Sequence, residues 1–246
     1  MKNTLLRIIT AGTLAGITFL TGSVQAAISL DRTRIIYDAE QNSMTLNISN
    51  ENKQLPYLAQ TWLENESGEK ITTGPLVVTP PLQRLEPGGK SLIRIQSTED
   101  SGKLSQDRES VFWFSLREIP PKSEKPNVLQ IALQTRVKLF YRPASLKAKS
   151  GVIWQEKLVL HPVAGGYRIE NPTPYFITVI GMGGTKTAAE KAPFDAIMLS
   201  PKSSETVKIS HFSTPYLTYI NDYGGRPVLS FNCRGDRCTV VPMKNN

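Results

Sequence analysis

Long apolar runs are scarce in this sequence of 246 residues. The one that stands out is the stretch 8–20, which follows Lys2 and Arg7 and is followed by small residues up to Ala27. This order is typical of a secretory signal peptide. Thirteen helical residues would rise only about 20 Å, which is too short for about 30 Å of hydrocarbon. We therefore predict a signal peptide at residues 1–26, cleavage after Ala26, export of the chain and no membrane insertion.

Cysteine and histidine are also rare, with two residues of each. A zinc site needs several thiolate or imidazole ligands, and only His161 and His211 could join the cysteines, so we expect no metal and no cofactor. Cys233 and Cys238 are separated by Arg-Gly-Asp-Arg. In an oxidising compartment this spacing predicts a disulfide that closes a hairpin. A ring this small contributes about 2 kcal/mol on the chain-entropy relation.

Motifs for catalysis or nucleotide binding are missing as well. The sequence has no G-x-S-x-G element, and the disulfide would leave no free thiol. The stretch "GMGGTKT" at 181–187 resembles a phosphate loop, but Thr185 separates the last glycine from the lysine and no parallel βαβ pattern surrounds it. We predict that the protein is not an enzyme, with a hydrolase built from dispersed residues as an open alternative.

The charge balance is basic. The formal net charge of +8 becomes +6 without Lys2 and Arg7, because no acidic residue precedes Asp31. Such a surface suits nucleic acid, an acidic membrane or an acidic protein partner, or it simply keeps the chain soluble. Export argues against nucleic acid as the partner.

The dominant pattern is that of short strands. Runs rich in β-branched and aromatic residues recur about every ten positions with turn residues between them, which predicts an all-β fold. Seven candidate strands, the first being "ISLDRTRIIY", predict an immunoglobulin-like sandwich in the first half. Eight shorter candidates follow "RPASLKAKSG", so we place two such domains at residues 27–146 and 147–246. The predicted core of the first domain includes Leu46, Ile48, Trp62, Ile93 and Phe112.

Two segments need separate interpretation. "TKTAAEKAP" at 185–193 is compatible with a helix, but its nine residues favour a loop with a turn of helix. "VLQIALQTRVKLFYRP" at 128–143 alternates for longer than most strands, with Leu129, Ile131 and Leu133 on one face. These three side chains either fill the core of the first domain or belong to an edge strand that is left open for a partner.

Several longer strings carry a family resemblance. They are "SLDRTRIIYD", "LPYLAQTWLENE", "TPPLQRLEPGGKSLIRI", "DRESVFWFSLREIPP", "VLQIALQTRVKLFYRP", "GYRIENPTPYF" and "TPYLTYINDYGGRPVLSF". In this order they resemble the periplasmic pilus (fimbrial) chaperones over essentially the whole chain after Ala26. The resemblance implies a periplasmic protein whose two immunoglobulin-like domains are set at an angle. Its partners would be pilus subunits and an outer-membrane usher, and whether the free form also self-associates stays open.

The resemblance also assigns roles to residues. It implies that Leu129, Ile131 and Leu133 are lent as a strand to a subunit that lacks one, a mode of binding known as strand addition. By motif, Arg34 and Lys138 would anchor the subunit's C-terminal carboxylate. A further set would form an ion network that fixes the angle between the domains, and its members are Glu109, Arg142 and Asp222.

Strict alternation places Lys138 on the face opposite to Leu129, Ile131 and Leu133. We therefore predict a twist, a bulge or a wrap around the partner between Leu133 and Lys138. The main alternative to a chaperone is an exported adhesive or receptor-like protein made of immunoglobulin-like modules. In that case the three apolar residues would simply be core residues.

Overall fold

The computed structural model describes residues 26–146 and 152–242. The predicted signal peptide, apart from Ala26, lies outside the described residues, as does the segment that follows the predicted domain boundary at 146. Two domains of mainly antiparallel β-sheet make up the described part, so the predicted all-β fold of two immunoglobulin-like sandwiches is confirmed. None of the described helices combines the length and the apolar character needed to span a bilayer.

The first domain consists of two sheets packed face to face. One has the strand order β1-β3-β8-β6, and the other has the order β2-β10-β9-β4-β5, with β7 also paired to β4. The strands are β1 (Ile28–Leu30), β2 (Arg34–Asp38), β3 (Ser43–Asn50), β4 (Tyr57–Glu64), β5 (Lys70–Ile71), β6 (Leu76–Thr79), β7 (Leu82–Leu85), β8 (Lys90–Ser97), β9 (Ser110–Ile119) and β10 (Gln134–Arg142).

The core of this domain follows the period of two along each strand. In β3, Leu46 and Ile48 are buried, whereas the alternate residues Thr45 and Asn47 are exposed. Of the five predicted core residues, four belong to the buried cluster between the sheets. The prediction was wrong for Trp62, which is buried but lies outside that cluster and packs under the cations of Arg117 and Lys70.

The first predicted strand is split in two. β1 pairs with β3 in the four-stranded sheet, whereas β2 runs parallel to β10 in the other sheet. The crossing at residues 31–33 is fixed by Asp31, whose Oδ2 accepts hydrogen bonds from the backbone N (3.2 Å) and the Nδ2 (2.7 Å) of Asn47. This crossing places Arg34 beside β10.

The second domain forms one continuous path of eight strands, in the order β14-β13-β16-β17-β18-β11-β12-β15. β17 joins the two layers, because its first half pairs with β16 and its second half with β18. All eight strands predicted for this half are present: β11 (Val159–Val163), β12 (Gly166–Asn171), β13 (Ile177–Gly183), β14 (Ile197–Leu199), β15 (Ser203–Lys208), β16 (Tyr216–Ile220), β17 (Val228–Arg234) and β18 (Arg237–Val240).

The predicted disulfide is confirmed. Cys233 and Cys238 are bonded and lie opposite each other in the β17–β18 hairpin. Gly235 in its turn has φ of 61°, a left-handed conformation that glycine adopts without a steric penalty.

The segment expected to be a loop with a turn of helix contains the helix α1 (Lys186–Lys191), whose N-cap Thr185 accepts a hydrogen bond from the backbone N of Ala188. The glycines before it allow close packing: a Cβ on Gly181 would lie 1.9 Å from the Ala189 carbonyl oxygen. The glycine cluster therefore serves the packing of α1 on β13. Short 3₁₀ helices occur at Glu99–Lys103, Ala144–Leu146 and Trp154–Lys157.

The long alternating stretch differs most from expectation. β10 begins at Gln134, six residues later than its sequence pattern predicts. From there its ladder with β9 runs without a register shift, pairing Thr135 with Leu116 and Val137 with Phe114. Of the three alternatives predicted between Leu133 and Lys138, the bulge was therefore wrong, because the ladder is regular from Gln134 onward. The twist and the wrap around a partner stay predictions.

Candidate functional site

The segment 128–133, which we call the donor segment, exposes apolar side chains to solvent. Leu129 is 85% exposed and Ile131 is 63% exposed, while Leu133 is partly buried. The interpretation that these residues fill the core of the first domain is therefore wrong. Apolar side chains in contact with water raise the free energy of the folded protein. A cluster of exposed apolar side chains is therefore typical of a binding surface.

The backbone of the donor segment is also largely unpaired. Among the described residues, its one backbone hydrogen bond is accepted by the Leu133 carbonyl from Glu118 N at 3.0 Å. A side-chain contact steadies it, because Gln130 Nε2 donates to the Pro121 carbonyl at 2.6 Å. Prolines 120, 121 and 126 precede the segment and cannot donate to a ladder.

The edge of the sheet is open beside this segment. β2 pairs only with the second half of β10, from Lys138 to Arg142. The first half of β10, Gln134–Val137, therefore has β9 on one side and no strand on the other among the described residues. An exposed strand edge of this kind is a template for pairing with another chain.

Arg34 and Lys138 are brought together by the fold. They are direct partners in the parallel pairing of β2 with β10, so their side chains lie on the same face of the sheet. Arg34 is 9% exposed, and Lys138 is partly buried. The sequence motif alone gives their identity, whereas their adjacency comes from the crossing of β2 into this sheet.

Arg34 is fixed by contacts with the second domain. Its Nη1 donates to the carbonyl oxygens of Ile220 (3.0 Å) and Asn221 (3.2 Å), and its Nη2 donates to Thr178 Oγ1 at 3.3 Å. All three acceptors are uncharged. The guanidinium is thereby oriented by domain two while its positive charge is kept.

The electrostatics of this pair suit an anion. Burial lowers the pKa of Arg34, and burial together with the neighbouring Arg34 lowers the pKa of Lys138. In the described part of the chain, neither cation forms an ion pair with a carboxylate. An incoming carboxylate would therefore relieve the repulsion between two cations.

A cleft of about 450 Å³ opens beside Arg34 between the domains. Lys138 adjoins Arg34 in the sheet but does not line this cleft. The lining residues are Asp31, Arg32, Thr33, Arg34, Ile36, Arg142, Asp222 and Tyr223.

The residues of the expected ion network do meet, at the junction of the two domains. Arg142 at the end of β10 contacts Glu109 Oε1 through Nε (2.8 Å) and Nη2 (2.7 Å), and its Nη1 contacts Asp222 Oδ2 at 2.8 Å. Glu109 is 4% exposed, and its Oε2 accepts the backbone N–H of Phe176 at 2.8 Å. One arginine thus joins an acid of the first domain to an acid of the second.

Burial raises the pKa of the Glu109 carboxyl from 4.5 to about 7, although Arg142 and the N–H of Phe176 oppose this shift. Between these two pH values the folded chain holds more protons than the unfolded chain, so the free energy of unfolding should fall as the pH rises through this window. Urea denaturation at several pH values from 5 to 7 should show this slope. In Glu109→Gln, which cannot titrate, the slope should be smaller, and equal slopes in both proteins would contradict the assignment.

Several residues of this region were missed by sequence reasoning. Arg136 donates to Glu64 Oε2 at 2.7 Å and its Cζ lies 3.9 Å from the centre of the Trp113 ring. Phe140 lies under Arg34, with 5.3 Å between Cζ and the ring centre. Alternation along β9 and β10 places these residues on the outer face, but only the strand register shows which of them meet.

No group of three or more His, Cys, Asp or Glu residues able to hold a metal ion occurs in residues 26–146 and 152–242. His161 Nε2 lies 2.7 Å from Glu170 Oε2, and His211 Nε2 lies near the Val163 (2.9 Å) and Gly166 (2.8 Å) carbonyls. Both histidines are thus engaged in local contacts of the second domain.

Two family models match the chain. The model described as "Pili and flagellar-assembly chaperone, PapD N-terminal domain" matches residues 27–147. The model described as "Pili assembly chaperone PapD, C-terminal domain" matches residues 153–231. Together they account for both domains.

Individual proteins agree with the family models. The chaperone protein PapD of Escherichia coli is 63% identical over 226 residues, which are 92% of this chain and 95% of PapD. The chaperone protein PmfD of Proteus mirabilis is 44% identical over 229 residues, with 91% and 90% of the two chains covered. Among solved structures, the CupB2 chaperone of Pseudomonas aeruginosa is 28% identical with a TM-score of 0.68, covering 82% of this chain and 98% of that one.

Proposed function

This chain belongs to the pilus-assembly chaperone family, and from that premise we propose that it lends its donor segment to a pilus subunit as a missing strand. The chain is a chaperone of chaperone–usher pilus assembly. How it holds a subunit, and with which residues, is the subject of the proposal.

The observation that carries the proposal is the exposed apolar donor segment beside an open sheet edge. Leu129, Ile131 and Leu133 are two positions apart, so an extended backbone presents all three to one groove. The same backbone offers N–H and C=O groups to a guest strand, which is how strand addition extends a sheet. Affinity comes from the backbone pairing and specificity from the pockets that take alternate side chains.

Apolar burial alone would give a weak complex. Three such side chains contribute roughly 5 to 9 kcal/mol at about 1.5 to 3 each. Association costs on the order of 4 to 15 kcal/mol. Backbone pairing and the cations of Arg34 and Lys138, which we call the carboxylate clamp, would supply the surplus. The clamp would bind the C-terminal carboxylate of the subunit through charge-assisted hydrogen bonds.

The clamp would also set the register. If the end of the subunit chain is fixed at Arg34 and Lys138, each groove pocket meets one defined residue of the donor segment. The Glu109–Arg142–Asp222 network would hold the two domains so that Arg34 stays aligned with the carbonyls of Ile220 and Asn221. This role of the network is inferred from its ion pairs, which connect the first domain to the second.

Such a mechanism makes and breaks no covalent bond. The chaperone would cover the subunit groove in the periplasm and release the subunit at an outer-membrane usher, where the next subunit replaces the donor segment. A second copy of the chain would be able to cover the same edge in the free form. A purely adhesive module would have no need of an exposed donor segment.

Co-expression in the periplasm with a subunit that is degraded on its own tests this function. The wild-type chain should protect the subunit and purify with it as a one-to-one complex. Ile131→Asp should lose both the complex and the protection, because a carboxylate in an apolar groove is left without a partner.

Leu92→Asp is the matched control. Leu92 is 58% exposed, close to the 63% of Ile131, but lies in β8 on the other sheet. It should behave as the wild type does. A stable complex with Ile131→Asp, or equal loss with Leu92→Asp, would refute the proposed use of the donor segment.

A further inference from the structure

The two cations of the carboxylate clamp each lie against an aromatic ring. The Arg34 guanidinium is 5.3 Å from the centre of the Phe140 ring, and the Lys138 ammonium is 5.7 Å from the centre of the Trp113 ring. Both distances are within the range at which a ring face attracts a cation. Both cations of the clamp thus contact uncharged groups, which are the two aromatic rings and, for Arg34, the oxygen atoms of the second domain described above.

A single row across the sheet produces this arrangement. Lys138 pairs with Arg34 on β2 and with Trp113 on β9, and Trp113 in turn pairs with Glu64 on β4. Neighbouring strands are about 4.8 Å apart, so side chains of one row on one face touch in sequence. Lys138 thus lies between a cation and an indole ring.

The acids of this region are engaged with other cations. Glu64 accepts a hydrogen bond from Arg136 Nε at 2.7 Å. Glu109 and Asp222 are both paired with Arg142. None of the three forms an ion pair with Arg34 or Lys138, although Asp222 and Glu109 act on Arg34 at longer range and oppose the lowering of its pKa by burial.

Arg136 also holds the ring. Its Cζ lies 3.9 Å from the centre of the Trp113 ring, while Glu64 fixes its Nε. Glu64 is in turn held by Ser115 Oγ (2.8 Å) and Trp62 Nε1 (2.8 Å). The orientation of Trp113 is thus set by a chain of contacts from three strands.

We propose that Trp113 is a positioning residue of the carboxylate clamp, whose ring keeps the Lys138 ammonium in the row beside Arg34, against the repulsion between the two cations, without neutralising it. This inference rests on the proposed function. A carboxylate in the place of the ring would form an ion pair that a subunit would have to displace. A π face stabilises the ammonium by electrostatic attraction but leaves its hydrogens free for a stronger acceptor.

Phe140 supports Arg34 in a similar way but cannot be tested cleanly. It is 2% exposed, and its ring packs against Phe176 of the second domain at 5.6 Å. Changing it would disturb the domain junction. Trp113 is only partly buried, so its replacement is better tolerated.

The test uses the C-terminal peptide of a pilus subunit that co-purifies with the chaperone. The peptide is made once with a free carboxylate and once with a terminal amide, and both affinities are measured by calorimetry. The wild type should bind the peptide with the free carboxylate more tightly than the amide, and this difference tests the carboxylate clamp itself. Trp113→Leu should weaken the acid about five- to tenfold and leave the amide almost unchanged. Trp113→Phe, which keeps a ring, should restore most of the preference.

Tyr216→Leu is the control, since Tyr216 is likewise a partly buried aromatic residue of a strand but lies in β16 of the second domain, four residues before Ile220. It should keep the wild-type preference for the acid. Equal losses for acid and amide in Trp113→Leu, or an unchanged ratio, would overturn the role of the ring. Should Trp113→Leu fail to fold, Trp113→Phe provides the test. Its preference for the acid over the amide peptide should be about twofold smaller than that of the wild type. An unchanged ratio of the two affinities would contradict the proposal. A wild type without acid preference would instead refute the clamp.

Discussion

Lys138→Met is expected to bind a pilus subunit about 10- to 150-fold more weakly than the wild type while remaining folded. The substitution removes the ammonium but keeps most of the apolar stem. A charge-assisted hydrogen bond is worth about 1.5 to 3 kcal/mol, and every 1.4 kcal/mol is a factor of ten in affinity. Titration of a purified subunit against the two chaperones, with thermal unfolding as the check on folding, measures the effect.

Lys70→Met is the matched control for this variant. Lys70 is also a cation above an indole ring on the same sheet face, 5.4 Å from the centre of the Trp62 ring, but it has no place beside Arg34. It should bind subunits as the wild type does. Unchanged affinity in Lys138→Met would remove the carboxylate clamp from the mechanism.

Arg34→Ala is a less direct probe than Lys138→Met. On the motif alone, this variant is expected to fold and to fail in binding. The structure adds that Arg34 donates hydrogen bonds to Ile220, Asn221 and Thr178 of the second domain. Its loss would therefore weaken the domain junction as well as the clamp, and the two effects would have to be separated by a measurement of domain orientation.

Much of the fold could be predicted because alternation and turn residues are local signals. In the second domain each predicted strand has an observed counterpart, down to the hairpin closed by Cys233 and Cys238. The short strands β5 and β7 could not be predicted from pattern, since two to four residues carry too little periodicity. The split of the first strand depends on Asp31 reaching Asn47, which is a tertiary contact.

The site shows the same limit more sharply. Residues 128–133 have a strand pattern, but among the described residues no strand lies beside them, and only the Leu133 carbonyl accepts a backbone hydrogen bond, so β10 starts later. The sequence motif predicted that Arg34 and Lys138 act together. That they share one row with Trp113 follows from the register of three strands, which the motif does not contain. Only the folded arrangement shows that the nearest acids are engaged by Arg136 and Arg142.

The second large effect is expected in the amide hydrogen exchange of the donor segment when a subunit binds. In the free chain, none of the amides at 128–133 donates to another backbone group of the described residues, so they should exchange with solvent rapidly. In a subunit complex, alternate amides would enter a ladder with the guest. An opening free energy of about 3 kcal/mol would slow their exchange about 150-fold.

Amide hydrogen exchange of residues 129–133, measured in the free chaperone and in the one-to-one subunit complex, is therefore the most direct test that this segment is lent as a strand. Our account predicts rapid exchange in the free form and at least about hundredfold slower exchange at alternate positions in the complex. Rapid exchange of all five amides in a complex that remains intact would contradict it.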